Sequence, residues 1–278
     1  MSEPQVAYAG ERGAFGEDAV IAAFGEEAAR LPLGGFRQVF EAVTSGAAAA
    51  GVLPIENVVN GSVREVYDLL LEHDLHITGE VVVPVELCLA SLPGRSIDDV
   101  ERVYSHIQAL GQAEAFLRTR PWALLTTYNT AGAGRFIVDQ GDGGAAAVLS
   151  PRAADVFGLE VLASSIQDSR DNRTRFIVVG GSVAALEGSS TSASRTTIAF
   201  GVRNEPGTLL AALQVFAARA INLSKLESRP SRAAAWEYVF WADLDAHAAE
   251  PECAAALEEL AVVATMVRVL GSYPRSAS

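Results

Sequence analysis

The first 180 residues alternate short apolar runs with amphipathic segments. The apolar runs QVAYAG (5–10) and GVLPI (51–55) are each followed by a segment with apolar residues at helical spacing, GEDAVIAAFG (16–25) and SVREVYDLLLEH (62–73). Strands that alternate with helices in this way are typical of an α/β fold with mainly parallel sheets. The pattern therefore predicts an α/β domain in this part of the chain.

The pattern changes near the end of the chain. Six segments follow one another there: TTIAFGV (196–202), GTLLAALQVFAARA (207–220), NLSKLESRP (222–230), WEYVFWADLD (236–245), PECAAALEELAVVA (251–264) and TMVRVLGSYP (265–274). Their periodicities indicate strand, helix, strand, strand, helix and strand, which is a βαββαβ unit of the ferredoxin-like kind.

A stretch of small and polar residues, GGSVAALEGSSTSASR, separates these two parts. Such weakly periodic composition is typical of a loop or linker. We therefore predict a first domain over residues 1–181, a linker over 182–194 and a second domain over 195–278.

Several helices of the first domain begin at polar residues suited to capping them. The candidates are Ser62 with Glu65, Ser105 with Gln108, and Asn129 or Thr130. A single cap is usually only structural, but helices that follow parallel strands start at the same edge of the sheet and can face one cleft. Because backbone N–H groups at helix starts attract anions, the pattern predicts an anionic small molecule as the ligand.

Charge and composition exclude several classes of protein. Asp and Glu number 34 against 21 Lys and Arg, which gives a net charge of −13 and argues against nucleic acid and anionic membranes as partners. The start of the chain lacks a signal-peptide pattern, and no later segment has the apolar length of a membrane span, so we expect a cytosolic protein. Cys88 and Cys253 are predicted to be buried thiols.

The residues that are missing limit the chemistry. Lys225 is the only lysine and lies beyond the linker, so no Schiff-base or phosphate-binding lysine is available before it. His73 and His76 are the only close histidines, without a Cys or a third His nearby, so we do not expect a metal site. Any reaction must then use hydroxyls, amides, carboxylates and arginines.

The stretch DNRTRFIVV (171–179) sets polar and basic residues directly against an apolar strand. Read alone, it is typical of a solvated loop before an edge strand. The alternative is that the strand end holds the side chains of a site.

Four motifs in order support the alternative. They are GVLPIENVVNGSV (51–63), SHIQALGQA (105–113), NRTRF (172–176) and ESRP (227–230). With them the chain resembles the prephenate dehydratase family, with its ACT regulatory domain. The resemblance implies two α/β lobes around a cleft, arranged like a periplasmic binding protein, followed by a ferredoxin-like ACT domain. It also implies the conversion of prephenate to phenylpyruvate in phenylalanine biosynthesis, without a cofactor.

The resemblance implies roles for particular residues. Thr174 would give or relay a proton to the departing hydroxyl, and Arg175 would clamp a carboxylate. Glu56 would be either a proton donor or a structural partner. Residues that would bind the rest of the substrate are Asn57, Ser105, Gln108, Gln112, Thr130 and Phe176. The chain departs from the family pattern at Ala14, Gly16 and Ile107, where the family often has Thr, Ser and Pro.

Phenylalanine would bind the ACT domain and inhibit the enzyme. The residues implied are Gly207, Thr208, Leu209, Asn222, Glu227, Ser228, Arg229 and Pro230. The resemblance also implies a homo-oligomer, dimer or tetramer, formed through ACT domains; oligomerisation without a ligand is the alternative. The first strand begins close to Met1, so we expect a monofunctional chain without a chorismate mutase domain in front.

Two other functions remain open. The segment AYAGERGAFGEDA (7–19) is similar to plant-type arogenate dehydratases, which make phenylalanine directly from arogenate. A non-catalytic sensor that binds an aromatic metabolite is the other alternative.

Overall fold

A computed structural model describes residues 5–180, 194–230 and 238–276. The strands are β1 (Val6–Ala9), β2 (Arg30–Leu33), β3 (Ala50–Asn57), β4 (Gly61–Ser62), β5 (His76–Pro84), β6 (Cys88–Ser91), β7 (Arg102–Ser105), β8 (Ala123–Thr126), β9 (Ala145–Leu149), β10 (Glu160–Ala163), β11 (Arg173–Gly180), β12 (Ser194–Gly201), β13 (Leu223–Pro230), β14 (Tyr238–Leu244) and β15 (Met266–Pro274). The helices are α1 (Phe15–Phe24), α2 (Phe36–Thr44), α3 (Arg64–Glu72), α4 (Ile107–Gln112), α5 (Glu114–Leu117), α6 (Thr130–Gln140), α7 (Pro151–Val156), α8 (Thr208–Ala217) and α9 (Pro251–Val263).

The chain divides into two compact units. The first contains residues up to 73 and residues 81–177, and the second contains residues 74–80 together with everything from 178 onward. Strands β5 and β11 each run from one unit into the other. The predicted linker lies outside the described residues, except for Ser194 at the start of β12.

The first unit is built on two sheets. One has the order β2-β1-β3-β11-β5 with β4 beside β3, and the other has the order β10-β6-β9-β7-β8. The pairs of β1 with β2 and β3, and of β7 with β8 and β9, are parallel, which confirms the α/β prediction. Strand β6 is antiparallel to both of its neighbours, β9 and β10.

The second unit confirms the predicted βαββαβ order. Its strands form an antiparallel sheet in the order β13-β14-β12-β15, so β13 is an edge strand. Helices α8 and α9 pack on this sheet through a buried apolar cluster that includes Ile198, Phe200, Phe216 and Leu260.

A buried charged network lies in the second unit. The guanidinium of Arg195 on β12 contacts Glu80 Oε2 at 2.5 Å, and its Nε lies 3.9 Å from Asp243 Oδ2. The other Glu80 oxygen accepts a bond from the Ser276 N–H at 3.0 Å. The Glu80 side chain is only 2% exposed, so Arg195 compensates a carboxylate that water scarcely reaches.

Both cysteines are buried, as predicted. Burial raises the pKa of the Cys88 thiol to about 11, so this group stays protonated at neutral pH. No helix in the part of the chain that the structure describes is long and apolar enough to cross a membrane.

Candidate active site

An open cleft of about 880 Å³ lies within the first unit. Its walls are the ends of β1, β3 and β11 and the starts of six helices, α1, α2, α3, α4, α6 and α7. The prediction that several helix starts face one cleft is therefore confirmed.

The three helices that accompany the first sheet begin without a side-chain cap. Their N-cap residues are Ala14 for α1, Gly35 for α2 and Val63 for α3, and none has a capping side-chain hydrogen bond. The predicted cap at Ser62 is wrong, because this residue pairs with Glu56 as part of β4 and the helix starts after it. At these helix starts no side-chain cap competes with a ligand for the first backbone N–H groups, and these groups and the macrodipole both favour an anion.

The helices on the other side of the cleft are capped by side chains. His106 Nδ1 accepts from the Gln108 N–H at 3.3 Å, Asn129 Oδ1 from the Gly132 N–H at 2.5 Å, and Ser150 Oγ from the Ala153 N–H at 3.0 Å. The predicted Asn129 cap is confirmed.

Ser105 is not the cap of α4 that the sequence predicted. It is fully buried at the end of β7, where its hydroxyl donates to the Val148 carbonyl at 2.6 Å. The next residue, His106, takes the capping role instead. The structure therefore places Ser105 beneath the cleft wall and not among the cleft residues.

A hub of hydrogen bonds joins β3 to β11 at the cleft. The amide nitrogen of Asn57 donates to Asn172 Oδ1 at 2.9 Å, to the Arg173 carbonyl at 3.0 Å and to Thr174 Oγ1 at 2.9 Å. The amide oxygen of Asn57 accepts from the N–H groups of Val59 and Asn60 at 3.0 and 2.9 Å. Because Asn57 uses both ends of its amide within the protein, it acts as a support for Thr174.

The hydroxyl of Thr174 is oriented by this hub. Its oxygen accepts a bond from Asn57, so its own hydrogen remains available for another acceptor. The residue is 8% exposed and lines the cleft. The geometry can therefore supply a proton or a hydrogen bond to a group bound there.

Arg175 and Glu56 do not belong to the residues that line the cleft. Side chains alternate along a strand, so Thr174 and Phe176 face the cleft while Arg175 faces the opposite side of β11. There, Arg175 Nη2 lies 3.4 Å from Glu56 Oε2 on the neighbouring strand. The structure thus brings these two predicted residues together, away from Thr174.

The other predicted substrate-binding residues all line the cleft: Gln108, Gln112, Thr130 and Phe176. Residues that sequence reasoning missed also do so, and the most informative are His106, Arg64 and Tyr128. The Tyr128 hydroxyl donates a hydrogen bond to the Gly34 carbonyl at 3.0 Å, which connects the loop after β8 to the loop after β2. His106 could have been predicted as a site residue from its position between Ser105 and Gln108, where a strand ends and a helix begins.

Partial burial lowers the pKa of His106 below its ordinary value, so the ring is neutral at neutral pH. Its Nδ1 accepts a bond from the backbone, which leaves the proton on Nε2. No group of three His, Cys, Asp or Glu side chains within the described ranges is arranged to hold a metal ion.

The residues predicted to bind an allosteric ligand lie on two elements of the second unit. Gly207, with φ +88°, precedes α8, and Thr208 Oγ1 donates to the carbonyls of Arg203 and Glu205 at 2.6 and 2.9 Å. Leu209 follows in α8 and packs partly on the core. Asn222 donates to Asp245 Oδ2 at 2.7 Å. The remaining four, Glu227, Ser228, Arg229 and Pro230, are on the edge strand β13.

Two family models match the chain. The model described as prephenate dehydratase matches residues 6–183, and the model described as ACT domain matches residues 196–262.

Curated relatives span most of the chain. The bifunctional chorismate mutase/prephenate dehydratase of Aquifex aeolicus is 41% identical over 98% of this chain and 74% of its own length. Arogenate dehydratase/prephenate dehydratase 2 of Arabidopsis thaliana is also 41% identical, over 98% of this chain and 73% of its own length.

Two solved structures share the fold over nearly the whole chain. One is described as a prephenate dehydratase in complex with L-Phe from Arthrobacter aurescens; it is 32% identical with a TM-score of 0.89, and the match covers 98% of this chain and 90% of that one. The other is described as GqqA, a novel type of quorum quenching acylase; it is 32% identical with a TM-score of 0.88, over 98% of both chains.

Proposed function

Because the chain belongs to the prephenate dehydratase family and carries its ACT domain, we propose that it converts prephenate to phenylpyruvate and is inhibited by phenylalanine. The observation that carries the catalytic part is the Thr174 hydroxyl, held by Asn57 with its hydrogen free for the cleft.

The reaction needs little chemistry from the protein. Prephenate has a ring carboxylate and a ring hydroxyl on opposite carbons of a cyclohexadiene. When the carbon–carboxylate bond breaks, its electrons enter the ring and the carbon–hydroxyl bond breaks, which releases CO2 and water and makes the ring aromatic. The aromatic product supplies the driving force, so the protein has to hold the dianion and give the hydroxyl a proton as it leaves.

Thr174 provides that proton in our proposal. Asn57 fixes the oxygen of Thr174 as an acceptor, so the hydroxyl hydrogen points to another group. A departing hydroxide is a strong acceptor, and a hydroxyl within hydrogen-bond distance can transfer its proton and regain one from water.

Backbone groups hold much of the negative charge of the substrate. Arg64 is the only lysine or arginine among the described residues that line the cleft, and Glu65 also lines it, so the charged side chains of the lining sum to zero. The starts of α1, α2 and α3 lack side-chain caps, so their N–H groups face a ligand directly. Two carboxylates can therefore bind at these helix starts.

His106 donates from Nε2 to a substrate oxygen in this proposal. The lowered pKa keeps the ring neutral, and the bond from the Gln108 N–H to Nδ1 fixes the tautomer. Gln108, Gln112 and Thr130 supply further polar contacts from the same wall of the cleft.

Arg175 and Glu56 support the site from behind. Their contact at 3.4 Å joins β11 to β3, the two strands that carry Thr174 and Asn57. We therefore assign Arg175 a positioning role in place of the carboxylate clamp, and Glu56 the role of its partner in place of the proton donor.

Regulation is assigned to the second unit. The solved Arthrobacter aurescens relative is described as a complex with L-Phe, which supports phenylalanine as the ligand here too. Among the described residues β13 is an edge strand of its sheet, and the proposed assembly is a homo-oligomer in which this edge and the ligand residues on it lie at the interface with a second copy of the chain. Calorimetric titration of the full chain with phenylalanine, beside light scattering, tests both parts; no heat and a monomeric mass would contradict them.

Arogenate is the second candidate substrate. Seven of the curated relatives are named arogenate dehydratase or arogenate dehydratase/prephenate dehydratase, six of them 37–40% identical and one 41% identical to this chain. Purified protein should be incubated separately with prephenate and arogenate, and phenylpyruvate and phenylalanine measured. The larger kcat/KM identifies the substrate, and turnover of neither one would refute the proposed function.

A further inference from the structure

Glu17 is a buried carboxylate that the proposed mechanism does not use. It lies in the first turn of α1 and is 3% exposed. One oxygen accepts from the Gly13 N–H at 2.6 Å, and Arg30 Nε and Arg152 Nε lie 3.6 and 3.7 Å from the carboxylate. Two arginines thus compensate its charge, while its short hydrogen bond goes to the backbone of the loop before α1.

That loop forms part of the cleft wall. Gly10, Gly13, Ala14, Phe15 and Gly16 all line the cleft. None of these side chains has a polar atom, so the loop offers a polar substrate only its backbone groups. Its contribution to binding therefore depends on where the backbone is held.

Gly13 is held from three directions. The Glu17 carboxylate accepts a hydrogen bond from the Gly13 N–H, and Ser150 Oγ donates one to the Gly13 carbonyl at 2.9 Å. A Cβ at this position would lie 2.6 Å from the Ala153 Cα, and φ is +81°, so only glycine fits. Ser150 and Ala153 belong to the start of α7, on the second sheet's side of the cleft.

We propose that Glu17 is a positioning residue, whose carboxylate fixes Gly13 and so sets the cleft loop at the distance from α7 that substrate binding requires. The inference rests on the proposed function, because the dehydratase assay reads it out. Arg152 completes the arrangement by reaching from α7 to Asp18 Oδ1 at 3.4 Å as well as to Glu17.

Three variants test the role. Glu17→Gln keeps an oxygen that accepts the Gly13 N–H, whereas Glu17→Leu removes the acceptor at similar size. Asp18→Asn is the matched control, since it changes a neighbouring carboxylate of the same Arg152 without touching Gly13. Steady-state kinetics and thermal unfolding should be measured for each.

Glu17→Leu should lower kcat/KM by about 10²-fold through KM, with kcat within about threefold, as expected when ground-state binding is misplaced. Glu17→Gln should recover at least about tenfold of that loss, and Asp18→Asn should match wild type in kcat and KM. Equal losses in the Gln and Leu variants would show that charge or stability matters and the Gly13 bond does not. Wild-type kcat/KM in Glu17→Leu would also overturn the role.

Hydrogen exchange separates this inference from the proposed function. Exchange of a peptide covering residues 10–16 should be slow in wild type and Glu17→Gln and fast in Glu17→Leu, whether or not the protein turns over either substrate. If Glu17→Leu does not fold, Ser150→Ala loosens Gly13 from the other side and should raise KM in the same way. Unchanged exchange and an unchanged KM in Ser150→Ala would refute the proposal.

Discussion

Replacing Thr174 by Val should separate catalysis from stability. Valine keeps the shape of the side chain, so no cavity opens, but the hydroxyl is lost. The Asn57 amide has two hydrogens and three acceptors, and after the change it still has Asn172 Oδ1 and the Arg173 carbonyl at 2.9 and 3.0 Å. No buried donor is left without a partner, so unfolding should become easier by only about 1 kcal/mol, the typical net contribution of one hydrogen bond.

The effect on the reaction should be much larger. Loss of a positioned proton donor typically lowers kcat by about 10²- to 10⁴-fold, which corresponds to roughly 3–5 kcal/mol of transition-state stabilisation. The assay follows phenylpyruvate formation by wild type, Thr174→Val and Thr174→Ser, together with urea unfolding. Serine retains the hydroxyl and should keep kcat within about tenfold of wild type. A folded Thr174→Val enzyme with near-normal kcat would refute the proton-donor role.

Three further predictions test groups around the site and in the second unit. Burial raises the pKa of Asp18 to about 6, with Arg152 opposing the shift and Glu17 and Glu26 adding to it. Ionisation of Asp18 therefore reduces the stability of the folded protein as the pH rises from about 4 to 6, so Asp18→Asn should melt at a higher temperature than wild type at pH 7 and at no higher temperature at pH 4. A difference in melting temperature that is the same at every pH would contradict this. His106→Asn retains a good N-cap but loses the ring nitrogen in the cleft. KM should therefore rise about tenfold with little change in melting temperature. An unchanged KM would show that His106 acts only as the cap of α4. Glu80→Gln should destabilise the second unit by about 3–5 kcal/mol because it breaks a buried ion pair. The control Glu259→Gln breaks the exposed contact with Arg219 and should cost at most about 1 kcal/mol. If denaturant unfolding gave similar losses of unfolding free energy for both variants, burial would not be what makes the Glu80 contact important.

The order of the elements could be predicted from the sequence because apolar periodicity reports which face of each element is buried. Periodicity predicted the βαββαβ unit, and a polar residue at the helix start predicted the Asn129 cap. The cap predicted at Ser62 is wrong because the two-residue strand β4 depends on pairing with β3, a contact that periodicity does not encode. Local pattern therefore predicted helices well and their first residues less well.

Strand alternation could have corrected the roles within NRTRF. Adjacent residues of a strand face opposite sides, so Thr174 and Arg175 cannot both face the cleft. What the sequence could not reveal is which neighbour each side chain meets, such as the 3.4 Å contact between Arg175 and Glu56, since β3 and β11 are over a hundred residues apart.

Because residues 74–80 belong to the second unit, the regulatory domain cannot be exchanged freely between related proteins. A gene fusion that joins a new regulatory domain at the linker leaves Glu80 behind, while it replaces Arg195. Unless the incoming domain supplies a cation at that position, the buried Glu80 carboxylate loses its ion pair with Arg195, at a cost of about 3–5 kcal/mol. Exchange of this domain between relatives is therefore constrained by a strand in the middle of the catalytic sequence, and positions 80 and 195 should vary together across them.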